Sequence, residues 1–447
     1  MSLYNKIIDL QKLNIAWSHV RKNHPACGAD NISYEEFESN RKEELYRLHT
    51  ELKNHKYESL PVKEVTIYKG EKARNIALFS MRDKVIQQSL ADELSRIYDS
   101  RFSTSTYAYR PGRSALSAIN LIEEAVKTYD WVLKLDIVKF FDNINQIQLI
   151  SFLEQNIKEK DVIELVNHVI KAKLMNTKTG ELSVKEKGVF QGSGIAPLLS
   201  NIYLMQFDKV MEEKSDFYVR YSDDILILGK EKEQLQRVSA IAEDMLNQLD
   251  LQIQPEKVLL GNVGDGFAYL GYLFDKAGKR ISDKAEESLA ERLEIMWLGA
   301  ANLSVEEKLK KGSEILGGWE QYYREERTPK TIIEYASLMY MARYKDSMRE
   351  KIINMRFQYE NVYQDLMEFF LALWDEWKMP EYQRMEYEQF YHVYNEDSDI
   401  PINVEEVLHN ELLENYKKFT IQKDSEGFDN LIQIYSDLGC YNKAAFF

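Results

Sequence analysis

Apolar residues recur every three or four positions through residues 5–57, as at Ile7, Leu10, Leu13 and Trp17, the spacing of a helix face. The period then changes. LPVKEVTIYKGEKARNIALF (60–79) alternates around a central glycine and predicts a β-hairpin. Helical spacing returns from Arg82 to about Tyr98. WVLKLDIV (131–138) is nearly all apolar and predicts a buried strand, and 147–172 is helical again. KGVFQGSGIAPLLSNIYLMQFDKVM (187–211) starts as a Gly-rich loop and becomes a helix with an apolar stripe. FYVRYSDDILILG (217–229) predicts strand, turn and strand, 231–250 an amphipathic helix, and FAYLGYLF (267–274) one further strand.

Beyond about residue 282 the strand signals stop. Residues 284–324 are helical in pattern with glycines at the breaks, and 346–447 is helical, acidic and rich in Tyr. Charge, Ser and Pro cluster in NEDSDIPINVEE (395–406), which reads as a linker. The chain shows no internal repeat and no low-complexity tract. The pattern predicts an α+β architecture: a mixed domain, a helical domain and an acidic helical extension.

Composition narrows the class. Across 447 residues, 44% are hydrophobic and 29% charged, ordinary for a chain with a real core. No run approaches the roughly 18 apolar residues of a membrane span, and MSLYNKIIDLQK lacks the layout of a signal peptide. A cytoplasmic protein with no membrane partner is expected. The two cysteines, Cys27 and Cys440, exclude a disulfide framework or a Cys-based zinc site within this sequence. The net charge of −15 argues against a nucleic-acid partner until its distribution is considered. From Asp346 onward 21 acids face 9 bases; of the totals, 73 and 58, this leaves 52 and 49 in residues 1–345. The first three quarters can therefore carry a basic groove.

Charged residues inside the apolar strands carry the chemistry. Asp136 ends one predicted strand, and Asp223 and Asp224 sit at the tip of a predicted hairpin. Three carboxylates on adjacent strand ends repel unless cations bridge them. Mg²⁺ suits such oxygen ligands, and a pair of ions roughly 3.5–4 Å apart supports phosphoryl transfer. An isolated Asp-Asp pair is more often an ordinary hairpin turn. The accompanying segments decide against that reading.

Together the segments resemble the reverse transcriptase family, in its bacterial, group II intron-like branch. YSDD (221–224) resembles the family's Tyr-x-Asp-Asp box, and LKLDIVKFFDNI (133–144) its first catalytic-aspartate strand. KGVFQGSGIAPLLSNIYL (187–204) is similar to the Gln-Gly…Pro-Leu-Leu-x-Asn pattern. RNIALFSMRDKVIQQSL (74–90), FSTSTYAYRPGRSALSAI (102–119), LQIQPEKV (251–258), YLGYLF (269–274) and GGWEQYYR (317–324) resemble the flanking motifs in order.

The resemblance implies a right-hand polymerase: fingers and palm over 1–278, a helical thumb over 279–345, and a C-terminal extension over 346–447. It implies Asp136, Asp223 and Asp224 as the catalytic, metal-binding triad, with the Ile137 carbonyl as an extra ligand to two Mg²⁺, Mn²⁺ being an alternative. Arg74, Phe141, Gln191 and Lys257 fall at nucleotide-binding positions, Phe141 as the ring that excludes a 2′-hydroxyl. Arg110, Arg113, Gly192 and Tyr221 fall on the template and primer side. The departures are Ser193 and Ala196, where intron-type enzymes usually carry Gly and Ser, and a missing Pro in RNIALFSMRD; neither removes a ligand.

The expected activity is RNA-directed DNA synthesis from deoxynucleoside triphosphates, a nucleotidyltransferase reaction giving a DNA product. Seven scattered histidines and two cysteines build no Cys/His-rich endonuclease in this sequence, and its acidity is unlike that of mobile intron proteins. The resemblance then leads to antiviral (phage) defence, with a dedicated structured non-coding RNA as template. Alternatives are an intron-encoded reverse transcriptase and maturase without endonuclease, template-independent or protein-primed synthesis from one of nine tyrosines beyond residue 345, and a non-catalytic RNA-binding scaffold. The acidic extension offers self-assembly into a homo-oligomer as one role and a solvated helical cap as another.

Overall fold

The computed structural model describes residues 1–69, 72–177, 179–299 and 305–323. The chain divides into two compact units, one of residues 1–270 with 274–278, the other of 271–273 with the described residues from 279 onward. The acidic extension, with its linker and tyrosines, lies outside the described residues.

The first unit opens with four helices, α1 (Leu3–Ile7), α2 (Leu10–Val20), α3 (Tyr34–Ser39) and α4 (Arg41–Lys53). Ser2, Asp9 and Ser33 accept backbone N–H groups at the starts of α1, α2 and α3, satisfying donors that the helix leaves open. The expected hairpin follows as β1 (Val62–Lys69) and β2 (Lys72–Leu78), then α5 (Met81–Tyr98). α6 (Ala115–Ala125) begins at a capping box of Ser114 and Ser117.

β3 (Trp131–Asp136) leads into the short α7 (Phe140–Asn143). The helical pattern over 147–172 resolves into α8 (Gln146–Asn156) and α9 (Lys160–Ile170), separated where Ile157 and Glu159 turn extended. β4 (Leu174–Met175) and β5 (Leu182–Ser183) are too short for a sequence period to show. The Gly-rich loop gives way to α10 (Ala196–Tyr203), with Pro in its first turn, and α11 (Met205–Lys214). β6 (Phe217–Tyr221), β7 (Asp224–Gly229) and α12 (Lys232–Gln248) follow as the pattern expects, then β8 (Leu259–Asn262).

The single strand expected over 267–274 is a correction. It is two, β9 (Phe267–Tyr269) and β10 (Tyr272–Asp275), because Leu270 and Gly271 take φ of +49° and +84° and turn the chain. β11 (Gly278–Ile281) is the last strand among the described residues, and the second unit continues as α13 (Asp283–Gly299) and α14 (Val305–Tyr322).

Two sheets organise the first unit. One runs β2-β1-β4-β5, and the other is an antiparallel sheet in the order β6-β7-β3-β8. Ile225, Leu226, Ile227 and Leu228 of β7 are fully buried, as a central strand covered on both faces requires. α12 packs on β3 and β7 through Leu235, Val238, Ala242 and Leu246, spaced three and four residues apart. Each of the Leu and Val side chains contributes about 1.5–3 kcal/mol by leaving water. The strand ends that bear the carboxylates are therefore fixed by the core behind them.

Candidate active site

β6 and β7 pair through Tyr221 and Asp224, leaving Ser222 and Asp223 as a two-residue turn. Ser222 takes φ of +60°, the left-handed geometry that lets a tight hairpin follow the twist of its strands. β3 lies on the other side of β7, and its register ends with Asp136 directly opposite Asp224. Cross-strand partners hold their Cβ atoms about 4.5–5.5 Å apart. The sheet thus brings Asp136 and Asp224 side by side, with Asp223 in the adjoining turn.

Asp136 is buried, and its Oδ1 accepts from the Lys257 ammonium at 2.7 Å. Burial raises the Asp223 carboxyl above the usual range, and the charge of Asp136 adds to the shift. Burial pushes Asp224 up to about 6; Lys134 opposes this, while Asp223 and Asp136 reinforce it. The sequence pattern passed over Lys134, which it absorbs into an apolar strand. Its signal was the two-residue spacing from Asp136, which places both on one face of β3. The Lys134 ammonium donates to the Ala268 carbonyl at 3.1 Å and lies 5.9 Å from the Tyr269 ring centre. Tyr269, also passed over, donates its hydroxyl to the Asp224 carbonyl at 3.0 Å.

Among the described residues no three His, Cys, Asp or Glu side chains are already gathered as a metal cage. The donor chemistry nevertheless fits a divalent cation. The carboxylates are hard oxygen ligands, and the Lys257 ammonium already stands as a cation on Asp136. Ile137 pairs with Ile253 through bonds made by its neighbours, Val138 N–H to Gln252 and Gln254 N–H to the Asp136 carbonyl. Its own carbonyl is thereby turned away from residues 252–254 and left available.

Phe141 is half-buried in α7, and its carbonyl accepts from Val189 N–H at 2.7 Å, tying α7 to the Gly-rich loop. The Gln191 carbonyl accepts from Ala77 N–H at 2.7 Å, which fastens the loop to the end of β2. Gly192 has φ of +102°, and a Cβ there would stand 2.7 Å from the Ala77 carbonyl oxygen, so only glycine fits this approach. Arg74 lies on β2 opposite Ile67; its side chain is outside the described structure.

Arg110, expected on the template side, is engaged within the fold. Its Nε donates to Asp99 at 2.8 Å, one terminal nitrogen to the Ser103 and Thr106 carbonyls, and the other to the Asp99 carbonyl. Its side chain is 6% exposed, so the fork that would grip a template is spent holding the 99–106 loop. Arg113 is half-buried, donates to the Thr104 carbonyl and lies 5.1 Å from the Tyr107 ring centre. Tyr221 is half-buried at the end of β6, its phenol raised by burial and by Tyr109.

Residues 67–274 match the family model described as reverse transcriptase (RNA-dependent DNA polymerase). The chain carries a reverse transcriptase domain of the group II intron-like branch. The chain is 26% identical to protein YkfC of Escherichia coli over 286 residues, 55% of this chain and 74% of YkfC. It is 30% identical to the group II intron-encoded protein LtrA of Lactococcus lactis over 178 residues, 39% of this chain and 29% of LtrA. A solved apo telomerase from Candida tropicalis aligns at a TM-score of 0.41 and 15% identity, covering 50% of this chain and 55% of the telomerase. The assignment rests on the sequence matches. The family model's match ends at residue 274, short of α14, so the Trp-x-x-Tyr-Tyr segment lies outside that range.

Proposed function

We propose that this protein synthesises DNA on an RNA template, with Asp136, Asp223 and Asp224 holding two divalent metal ions, Mg²⁺ in the cell. The single observation that supports this most is the register that sets Asp136 opposite Asp224 beside the Asp223 turn. In the reaction the primer 3′-hydroxyl oxygen bonds to the α-phosphorus of a deoxynucleoside triphosphate. The bond to the bridging oxygen breaks, pyrophosphate leaves, and the hydroxyl proton goes to solvent. Bound metals supply charge neutralisation for this displacement.

The protein's own residues position and discriminate. Lys257, drawn from Asp136 by an entering cation, has its ammonium free for triphosphate oxygens. Phe141 closes the space below the sugar, and Gln191 and Gly192 bring backbone close to the nascent pair. Arg74 is the cation we assign to the triphosphate, and Arg113 and Tyr221 guide template and primer.

The biological setting we propose is phage defence in the cytoplasm, with a structured non-coding RNA as template. The acidic balance of residues 346–447, 21 acids to 9 bases, supports a domesticated enzyme over one that must coat a long intron RNA. The likeness to LtrA favours a second reading, an intron-encoded reverse transcriptase and maturase. Among the described residues no helix is long and apolar enough to cross a membrane.

Purification from cells, followed by sequencing of the bound RNA and DNA, tests these readings. One abundant structured RNA with complementary DNA is expected, the DNA vanishing in Asp223→Ala/Asp224→Ala. Recovery of an intron RNA flanking the gene would favour the maturase reading. RNA without complementary DNA, with undiminished biological activity in the Asp variant, would leave the scaffold.

A further inference from the structure

Behind the catalytic turn lies a buried polar network that neither the apolar pattern nor the metal chemistry accounts for. Arg220, on β6 two residues before the turn, is fully buried and faces the equally buried Asp208 of α11. Its Nε donates to Asp208 Oδ1 at 2.6 Å and one terminal nitrogen to Oδ2 at 2.5 Å, a two-pronged pair. The other terminal nitrogen donates to Asn201 Oδ1 at 3.1 Å and to the Ser222 carbonyl at 2.8 Å. Ser222 is the left-handed residue of the turn, and its carbonyl carbon is bonded to Asp223 N. One guanidinium therefore holds the backbone that aims both carboxylates.

The network also reaches the segment ahead of α6. Tyr218 and Thr106 donate their hydroxyls to Asp208 at 2.6 and 2.9 Å, and Asn201 donates to the Ala108 carbonyl at 2.9 Å. Arg220 N–H donates to the Ser105 carbonyl at 2.9 Å, and Tyr107 N–H to the Arg220 carbonyl at 3.0 Å. Tyr109, on the same segment, donates its hydroxyl to Ser222 Oγ at 3.4 Å. The turn, held by the Arg220 guanidinium, and residues 105–109, held by Asp208, Asn201 and the Arg220 backbone, thus share one network. Two opposite charges withdrawn from water gain little stability over apolar residues of equal volume. Their use lies in geometry, because a planar fork with every partner in place admits one position of the turn.

We propose that Arg220, held by Asp208, is the positioning residue that fixes Asp223 and Asp224 and links them to residues 105–109. The inference rests on the polymerase reading above. A cation and donors at a fixed angle behind the turn hold the carboxylates at the separation that chemistry requires. An error of 1 Å there costs about 100-fold in rate.

Steady-state primer extension on an RNA template tests it, with Mg²⁺ titrated and RNA affinity and thermal melting measured alongside. Arg220→Lys keeps the charge and loses the fork. Its kcat is expected to fall about 10–100-fold, with the KM for deoxynucleotide and the RNA affinity nearly unchanged and half-maximal Mg²⁺ shifted upward. Asp208→Leu paired with Arg220→Met leaves no lone buried charge and is expected to fold and show the same loss. Thr106→Val removes one hydrogen bond to Asp208 at nearly equal volume, leaves folding intact, and is expected to lower kcat several-fold. Wild-type kcat and Mg²⁺ dependence in Thr106→Val and in whichever of the other variants folds would overturn the proposal. A wild-type protein that extends no primer would instead overturn the polymerase reading.

Discussion

Lys257 and Asp136 meet through a 2.7 Å ion pair that joins the turn after α12 to the end of β3. The lysine side chain is 44% exposed, so water screens the pair and it contributes at most about 1 kcal/mol to folding. Its consequence is local, since it places a cation on an oxygen of the proposed metal site. Lys257→Met is expected to leave the melting temperature within a few degrees of wild type. The same change should lower the half-maximal Mg²⁺ concentration a few-fold and raise the KM for deoxynucleotide. A higher Mg²⁺ requirement would show that Lys257 assists metal entry and does not compete with it.

Gly192 meets Ala77 where the Gly-rich loop crosses the end of β2. Gly192→Ala must relieve a positive φ and a backbone contact together, at a cost of roughly 1–3 kcal/mol in stability. Displacing the loop from β2 should also raise the KM for deoxynucleotide more than it lowers kcat. Denaturant unfolding and steady-state kinetics measure the two effects separately.

Arg110 and Arg113 separate structure from template contact. Arg110→Ala strips four donors from the 99–106 loop and is expected to cost roughly 2–3 kcal/mol in stability, with RNA affinity in the folded protein nearly unchanged. Arg113→Ala should leave stability within about 0.5 kcal/mol. It should reduce the salt dependence of RNA binding by about 0.7–1 in log–log slope. The reverse pattern would return Arg110 to the template.

Burial lowers the Lys84 ammonium from 10.5 to about 8, with Asp30, Cys27 and Asp83 opposing the shift. Between those values the unfolded chain holds a proton that the folded chain has released. Stability from this group therefore rises with pH across that window and is flat below it. Lys84→Met removes the contribution. The wild-type stability relative to that variant is expected to increase from about pH 7 to about pH 10 in chemical denaturation.

The parts of this fold that show in the sequence are those whose burial follows a period. α12 shows as a stripe from Leu235 to Leu246, and the hairpin around Asp223 shows because a charge pair interrupts an apolar run. The motif order then led to the carboxylates, whose pairing in register depends only on strand alternation. What the sequence hid depends on contacts across long separations. Arg110 reads as an exposed turn cation because its partners at Asp99 and Ser103 are set by the loop's path. Arg220 looks like an ordinary polar residue in a strand, since Asp208 enters only when α11 packs beside β6. β4 and β5, two residues each, have no period to read.

Primer extension on a defined RNA template is the most direct measurement of the central claim. The full-length protein is incubated with a DNA primer annealed to RNA, labelled deoxynucleotides and Mg²⁺, beside Asp223→Ala/Asp224→Ala. The expected result is template-directed extension by the wild type, abolished by chelation of Mg²⁺ and by the paired substitution, with RNA binding retained by the variant. Extension that persists in the variant, or that proceeds regardless of template sequence, would contradict the account.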